Sequence, residues 1–252
     1  MDPAVVLLPI AAAAAGWVDA VVGGGGLLQI PALLLAYPTL PPATALGTNK
    51  LAAVFGTGSA AIRYTRATSL DLRSASTAAA AAVGSAALGA YVAAGVSQQT
   101  FRPVLLALLL AVLAMVVFRP TFGVEGGSDT PRWRPWLLLA IGAGIGFYDG
   151  VFGPGTGTFL ILSFTAALSL DFVHSSAMAK IVNVGTNLGA LAVFAAHGNV
   201  VWRLGLLMAI ANVIGAQLGA HTALKHGAGF VRLVLVVVVV AMVLRLGYLY
   251  LT

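Results

Sequence analysis

The chain repeats one pattern of charged residues and glycines at a spacing of 130 residues. Residues 16–90 align with residues 146–220 without a gap. The aligned landmarks are Asp19 with Asp149, Gly23 with Gly153, Gly25 with Gly155, Lys50 with Lys180, and Arg73 with Arg203. Charges and glycine breaks are costly inside apolar segments and rarely coincide by chance. The pattern therefore predicts two tandem copies of one structural unit.

The apolar segments between these landmarks are too long and too numerous for a soluble domain. Hydrophobic residues make up 60% of the 252 residues and charged residues 8%, whereas about a quarter of a soluble domain is charged. The apolar stretches cover about 4–36, 45–65, 74–96, 101–118, 136–168, 174–197, 204–224 and 229–251. We expect an all-α, multi-pass membrane protein with an N-terminal repeat (1–118), a loop linker (119–135) and a C-terminal repeat (136–252).

The same composition excludes several function classes. The net charge of +6 lies in loops between apolar segments, which is typical of a topology signal and not of nucleic-acid binding. The chain has no cysteine, its four histidines are scattered, and no serine lies in a Gly-x-Ser-x-Gly motif. We therefore expect no metal, no cofactor and no enzymatic activity.

The first segment of each repeat is too long for a single crossing. Residues 4–36 would form a helix about 50 Å long, against a hydrocarbon core of about 30 Å. Gly23–Gly26 interrupt this segment, and Gly153-Pro154-Gly155 interrupt its counterpart. Non-helical backbone survives at membrane depth only where protein or a water-filled cavity satisfies it. A pair of interrupted segments at corresponding positions indicates a transporter's binding site.

Two topologies remain open at this stage. If the interrupted segments turn back, each repeat has three full crossings plus a pair of half-helices, and the second repeat is inverted. If they cross, the chain has eight spans in parallel repeats. The distribution of lysine and arginine favours the inverted arrangement.

Two aspartates and two lysines lie close to the glycine breaks. Asp19 and Asp149 each lie four residues before the first break glycine, which indicates a proton-coupling or gating pair. The alternative is a structural salt bridge to Lys50 or Lys180. These two lysines are also expected to form a positively charged cage around a bound anion. The alternative is that each lysine extends to the membrane interface.

Uncharged donors lie on the same segments and complete a candidate anion site. The predicted binding residues are Gly23, Gly24, Gly25, Gly26, Gln29, Thr48, Asn49 and Lys50 in the first repeat, and Gly153, Pro154, Gly155, Thr156, Gly157, Lys180, Asn183 and Asn187 in the second. Thr186 lies among them. Backbone N–H groups at the breaks would bind the anion, with charge from the lysines. Each side-chain amide or hydroxyl could instead form an interhelical hydrogen bond.

These segments resemble the two signature motifs of the TauE/SafE family, the sulfite/sulfonate exporter-like membrane transporters. The first motif corresponds to residues 16–31 (GWVDAVVGGGGLLQIP) with residues 48–52 (TNKLA), and the second to residues 146–159 (GFYDGVFGPGTGTF). The resemblance implies a bacterial inner-membrane secondary transporter of small sulfur-containing anions. Because Ala179 stands where the first repeat has Asn49, the two half-sites are not expected to be chemically equal.

The sequence thus predicts alternating access around a site at the membrane midplane, with sulfite, sulfoacetate or a similar anion as substrate. A passive anion channel is the alternative, in which the broken helices line an open path. The expected partners are the small anion and the lipid bilayer, with a homodimer left open and no nucleic acid.

Overall fold

The computed structural model describes residues 3–93 and 135–251, and these ranges contain helices and no strand. The apolar stretch 101–118 and most of the predicted linker lie outside them. The helices are α1 (Pro3–Val22), α2 (Gly25–Ala36), α3 (Pro42–Ala67), α4 (Leu72–Ala93), α5 (Pro135–Val151), α6 (Thr156–Leu168), α7 (Phe172–Ala196) and α8 (Trp202–Leu251). The prediction of an all-helical fold is confirmed for the described residues.

The long helix α8 is two helical pieces joined at Gly227. This residue has φ 73° and ψ −168°, a left-handed backbone conformation that glycine adopts without the steric cost of a Cβ. The break falls between the predicted apolar stretches 204–224 and 229–251. In the described ranges, the helices Leu72–Ala93, Phe172–Ala196 and Trp202–Gly227 are each long and apolar enough to cross a membrane.

The helix bounds follow the 130-residue spacing of the sequence landmarks. Helix α3 begins at Pro42 and α7 at Phe172, while α4 begins at Leu72 and α8 at Trp202. Both pairs of starts are 130 residues apart. This agreement supports the predicted repeat, with α1 to α4 in the first half and α5 to α8 in the second.

Both interrupted segments turn back at their glycines. Gly16 in α1 packs against the backbone of Asn212, and Gln29 in α2 accepts a hydrogen bond from the same asparagine. A continuous helix would separate residues 16 and 29 by about 20 Å. In the second half, the rings of Tyr148 and Phe159 lie 5.2 Å apart, where a continuous helix would separate the two residues by about 16 Å. Each segment therefore forms a pair of half-helices.

Equivalent helices of the two halves run in opposite directions. Gly47 near the start of α3 lies beside Phe194 near the end of α7, whereas Gly58 further along α3 lies nearest to Val184. Since α3 and α7 are related by the 130-residue spacing, their opposite directions are those expected of an inverted pair.

The two halves interlock through close helix contacts. A Cβ on Gly89 in α4 would overlap the carbonyl oxygen of Phe147 in α5, and a Cβ on Gly219 in α8 would overlap that of Trp17 in α1. Gly89 and Gly219 are 130 residues apart, and so are Trp17 and Phe147, so the same contact occurs twice. The first helix of each half thus packs against the fourth helix of the other half, as small residues allow in membrane proteins.

The outer surface carries apolar side chains, as lipid contact requires. In α8, the exposed residues Leu206, Ile210, Ile214 and Leu218 recur every four positions. The residues between them include the buried Met208, Asn212 and Ala216. One face of the helix is therefore apolar toward the outside while the other holds polar groups inside the protein, the reverse of a soluble amphipathic helix.

Candidate functional site

The first glycine of each break adopts the same backbone conformation. Gly23 follows α1 with φ 81°, and Gly153 follows α5 with φ 85°. A residue with a Cβ is strained at this φ, which explains glycine at both equivalent positions. Gly24 and Gly155 are the N-terminal caps of α2 and α6. The breaks therefore place the positive ends of two helix dipoles inside the protein.

The breaks of the two halves meet each other. A Cβ on Gly23 would overlap the backbone of Gly157, and the Thr158 hydroxyl donates a 2.7 Å hydrogen bond to the carbonyl oxygen of Val22. A Cβ on Gly26 would lie 3.5 Å from Cα of Pro154. The predicted break residues of both repeats are thus brought to one place, which is called the break junction below.

A buried ion pair lies on one side of this junction. Lys50 Nζ of the first half lies 2.6 Å from Asp149 Oδ2 of the second half, and their side chains are 2% and 1% exposed. The Thr156 hydroxyl donates a hydrogen bond to Asp149 Oδ1. A Cβ on Gly153 would lie 3.4 Å from Lys50 Nζ, so the lysine lies directly at the second break.

A second ion pair occupies the equivalent position. Lys180 Nζ of the second half lies 3.4 Å from Asp19 Oδ2 of the first half. It also donates a hydrogen bond to the carbonyl oxygen of Asp19. The Thr57 hydroxyl donates a 2.9 Å hydrogen bond to Asp19 Oδ2. Asp19 is therefore held by both central helices, α3 and α7.

The ion pairs cross between the halves, since each lysine takes its counter-ion from the other repeat. Neither lysine extends to the surface, because both are at most 2% exposed. The structure thus has the salt bridges that were one of the two interpretations of these residues. Removing one partner of such a buried pair leaves an uncompensated charge, at a cost of about 3–5 kcal/mol.

The predicted uncharged residues divide into two groups. Thr48 donates to the Thr44 carbonyl oxygen and accepts from the backbone N–H of Val201 at 3.0 Å, next to the start of α8. Asn183 Oδ1 accepts from Thr186 and Asn187 within α7. These side chains have hydrogen-bond partners within the protein, between α3 and the start of α8 for Thr48 and Val201 but within one helix for Asn183, Thr186 and Asn187, where an interhelical bond was the alternative predicted.

Gln29 and Asn49 form the other group, because each keeps a buried polar atom without a hydrogen-bond partner. The two atoms are Gln29 Nε2 and Asn49 Oδ1, and no described residue satisfies either. Buried polar groups are nearly always paired, so an orphaned one calls for a reason.

Sequence reasoning missed Thr57 and Asn212. Thr57 lies seven residues after Lys50 and therefore on the same face of α3, and it aligns with the predicted Asn187 at the 130-residue spacing. These two relations could have identified it. Asn212 aligns with Ala82, so the repeat gave no signal for it.

Two cavities open at the end of the molecule where α8 begins. One, of about 500 Å³, is lined by residues including Tyr37, Thr39 and Arg203. The other, of about 310 Å³, is lined by residues including Tyr91, His197 and Asn199. Neither cavity is lined by a lysine or aspartate of the ion pairs. Both pairs are therefore closed off from these openings in this conformation.

Comparison with known proteins supplies independent information on the chain. The model of the family described as "Sulfite exporter TauE/SafE" matches residues 8–246. No solved structure matches the chain.

Relatives of similar length bear transporter names. The probable membrane transporter protein ORF9 of a Sinorhizobium species is 39% identical over 94% of this chain and 90% of its own length. A probable membrane transporter protein of Haemophilus influenzae is 34% identical, with 93% and 91% covered. The probable membrane transporter protein YfcA of Escherichia coli K12 is also 34% identical, with 93% and 86% covered.

Proposed function

The chain belongs to the sulfite exporter TauE/SafE family and is a multi-pass membrane transporter, and on that premise we propose that it carries a small sulfur-containing anion by alternating access. Sulfite, sulfoacetate and similar organosulfonates are the proposed substrates. The proposed site is the break junction with its two lysines. The crossed ion pairs are the observation that carries the proposal.

The ion pairs suit an exchange of counter-ions. An anion that reaches Lys50 or Lys180 competes with Asp149 or Asp19 for the same ammonium group, since both are negatively charged oxygen ligands. The displaced carboxylate then lacks a counter-ion inside the protein, and a proton can replace the lysine as its partner. Anion binding and proton binding are thereby linked, which is the basis proposed for coupling through Asp19 and Asp149.

The crossing of the pairs connects this exchange to movement. Because each pair joins the two halves, a shift of one half against the other changes both lysine–aspartate distances. Some backbone N–H groups at the breaks, including those of Gly23 and Thr156, already donate to carbonyl oxygens of their own half. The other N–H groups at the starts of the two half-helices are the ones proposed to bind the anion. A closed site between inverted halves supports a carrier over a passive channel.

The bacterial inner membrane is the proposed location. Among the described residues, Arg63, Arg66, Arg73 and Lys225 lie at the end of the molecule opposite Arg203. Cytoplasmic loops of membrane proteins carry the excess of lysine and arginine. The end with Arg63 is therefore proposed to face the cytoplasm.

Uptake of radiolabelled sulfite into proteoliposomes tests the proposal. We expect Lys50→Ala and Lys180→Ala to abolish uptake, with Lys225→Ala, a change at an exposed lysine, as the matched control. A paired variant, Lys50→Met with Asp149→Leu, removes the cation without leaving an unpaired charge, so it separates lost transport from lost folding. Wild-type uptake in the lysine variants would contradict the anion site.

Counterflow distinguishes a carrier from a channel. Unlabelled sulfite loaded inside the vesicles should accelerate labelled uptake if the protein alternates between two conformations. A pore would show no such acceleration, and this result would favour the channel.

A further inference from the structure

Gln29 carries a hydrogen-bond donor that the protein leaves unused. The side chain is 1% exposed, and its Nε2 has no partner among the described residues. An unsatisfied buried donor is destabilising, so one that is retained calls for a partner from outside the described residues. The proposed anion is one partner that such a donor suits.

Asn212 fixes which end of the Gln29 amide remains free. Asn212 Nδ2 donates a 2.8 Å hydrogen bond to Gln29 Oε1. Because the oxygen of the Gln29 amide is engaged, the nitrogen is the end left over. A free N–H is the end that an anion can use, whereas a free carbonyl oxygen would repel it.

Two glycines form the socket that holds Asn212. A Cβ on Gly16 in α1 would overlap the backbone oxygen of Asn212, and a Cβ on Gly56 in α3 would overlap its Oδ1. Asn212 itself is 3% exposed. Helices α1, α3 and α8 thus close around one side chain whose hydrogen bond reaches α2.

This arrangement exists in one half of the molecule. At the 130-residue spacing, Asn212 corresponds to Ala82, Gln29 to Phe159 and Gly56 to Thr186. Gly146, the counterpart of Gly16, packs against Ala82 as Gly16 packs against Asn212, but the amide pair and the glycine at position 56 are not repeated. The inverted scaffold alone therefore does not require Asn212, and its presence needs a reason particular to this half.

Gln29 lies on α2, the half-helix that begins at the break junction. Gly26 lies one helical turn before Gln29 on α2, at the break junction, where a Cβ would lie 3.7 Å from Asn49 Nδ2. Asn49 is the neighbour of Lys50 and carries the other unpaired amide atom. The first half therefore has two incompletely paired amides, one next to Lys50 in the chain and one a helical turn from the break junction.

We propose that Asn212 is a positioning residue that holds the Gln29 amide so that Nε2 donates a hydrogen bond to an oxygen of the transported anion. This inference rests on the proposed function, and it assigns the selection among anions to the first half. The second half then contributes charge through Lys180 without an equivalent amide donor.

Replacing Asn212 by aspartate is the sharpest test, because aspartate has nearly the same shape and fits the same socket. The ionised carboxylate only accepts hydrogen bonds, so Gln29 must turn its Nε2 toward residue 212 and present Oε1 instead. A protonated carboxyl group would donate to Oε1 as Asn212 does, so uptake is measured at a pH above which the half-maximal concentration no longer changes. We expect Asn212→Asp to raise the sulfite concentration for half-maximal uptake by about 10-fold or more, the effect of losing a hydrogen bond to a charged group. Gln217→Glu makes the same amide-to-carboxylate change five residues along α8 and should leave this concentration unchanged.

Gln29→Met provides a second variant that leaves the glycine socket untouched. It should raise the half-maximal sulfite concentration to a similar degree, with the maximal rate largely retained. In a double-mutant cycle, Asn212→Ala added to Gln29→Met should have no further effect, because Asn212 acts through Gln29. A merely structural Asn212 would instead add its own loss.

The outcomes separate the two proposals. The proposed function stands if the wild-type protein takes up sulfite and the Lys50 and Lys180 changes abolish this uptake. An unaltered half-maximal concentration in both Gln29→Met and Asn212→Asp would then overturn this inference alone. If Asn212→Asp fails to fold, an unaltered Gln29→Met has the same meaning. Absence of sulfite uptake in the wild-type protein would overturn the proposed substrate and this inference together.

Discussion

The two ion pairs occupy equivalent positions in the two halves but have different surroundings. Lys50 and Asp149 lie 2.6 Å apart, and the Asp149 side chain is 1% exposed. Lys180 and Asp19 lie 3.4 Å apart, and the Asp19 side chain is 12% exposed. Asp149 accepts from Thr156 of its own half-helix pair, whereas Asp19 accepts from Thr57 on α3.

This difference teaches that an inverted scaffold can carry unequal chemistry. The Lys50–Asp149 pair is short and enclosed, which suits a contact that stays closed until the anion arrives. Asp19 is more accessible and shares Lys180 with its own carbonyl oxygen, which makes its carboxylate the easier one to release. Under the proposed function, we therefore expect the larger structural contribution from Asp149 and the larger part of any proton coupling from Asp19.

Neutralising each aspartate should give the largest effects, and unequal ones. Asp149→Asn leaves Lys50 buried without a counter-ion and should lower the free energy of unfolding by about 3–5 kcal/mol. Asp19→Asn leaves Lys180 its hydrogen bond to the Asp19 carbonyl, so we expect a smaller loss of about 1–3 kcal/mol. Thermal unfolding of the purified variants in detergent measures both. Equal losses, or the reverse order, would remove the distinction between the pairs.

A pH gradient should separate the roles of the two pairs in transport. If Asp19 takes up the coupled proton, Asp19→Asn should lower gradient-driven sulfite uptake about 10-fold, to the level without a gradient. Counterflow of sulfite needs no net proton movement and should persist in this variant. The measurement is uptake into proteoliposomes with and without an imposed gradient. A full gradient response in Asp19→Asn would refute its coupling role.

The starts of α4 and α8 offer a smaller test of the same comparison. Asp71 accepts hydrogen bonds from the backbone N–H groups of Arg73 and Ser74 at the start of α4. At the equivalent start of α8, the backbone N–H of Val201 donates to Thr48 of α3. One half therefore caps this helix locally, and the other through a neighbouring helix.

The Asp71 cap should depend on pH. The hydrogen bond from the Ser74 hydroxyl is the largest cause that lowers the pKa of Asp71. A lowered pKa means that the carboxylate stabilises the fold above its unfolded pKa of about 3.9, and that this stability is lost as the pH falls through the lower folded value. Asp71→Ala should cost about 1 kcal/mol at neutral pH. The measurement is the difference in unfolding temperature between Asp71→Ala and the wild type, which should shrink in acid. A difference that stays constant with pH would argue against the cap.

Much of the site could be predicted from the sequence because glycine breaks and intramembrane charges are costly and therefore informative. The positions of Gly23, Gly153 and the two lysine–aspartate sets follow from this cost alone. The pairing does not, since each lysine follows the aspartate of its own half by 31 residues but lies beside the aspartate of the other half. Only the opposite directions of α3 and α7 bring each lysine to the aspartate of the other half.

The uncharged residues show where sequence reasoning fails. A single asparagine in an apolar helix is usually an interhelical hydrogen bond, and the sequence offers no way to tell Asn212 from such a case. Its meaning depends on Gly16, Gly56 and Gln29, which lie on three other helices. Thr48 illustrates the opposite problem. It lies within a recognisable motif and was predicted to bind the anion, but its hydroxyl is hydrogen-bonded to Val201 at the start of α8.

A structure determined in the presence of saturating sulfite tests the central claim most directly, namely that the crossed lysine–aspartate pairs are the anion site. The account predicts an anion within hydrogen-bond distance of Lys50 Nζ or Lys180 Nζ at the break junction, with the corresponding aspartate displaced. Sulfite bound elsewhere, with both ion pairs intact, would contradict it.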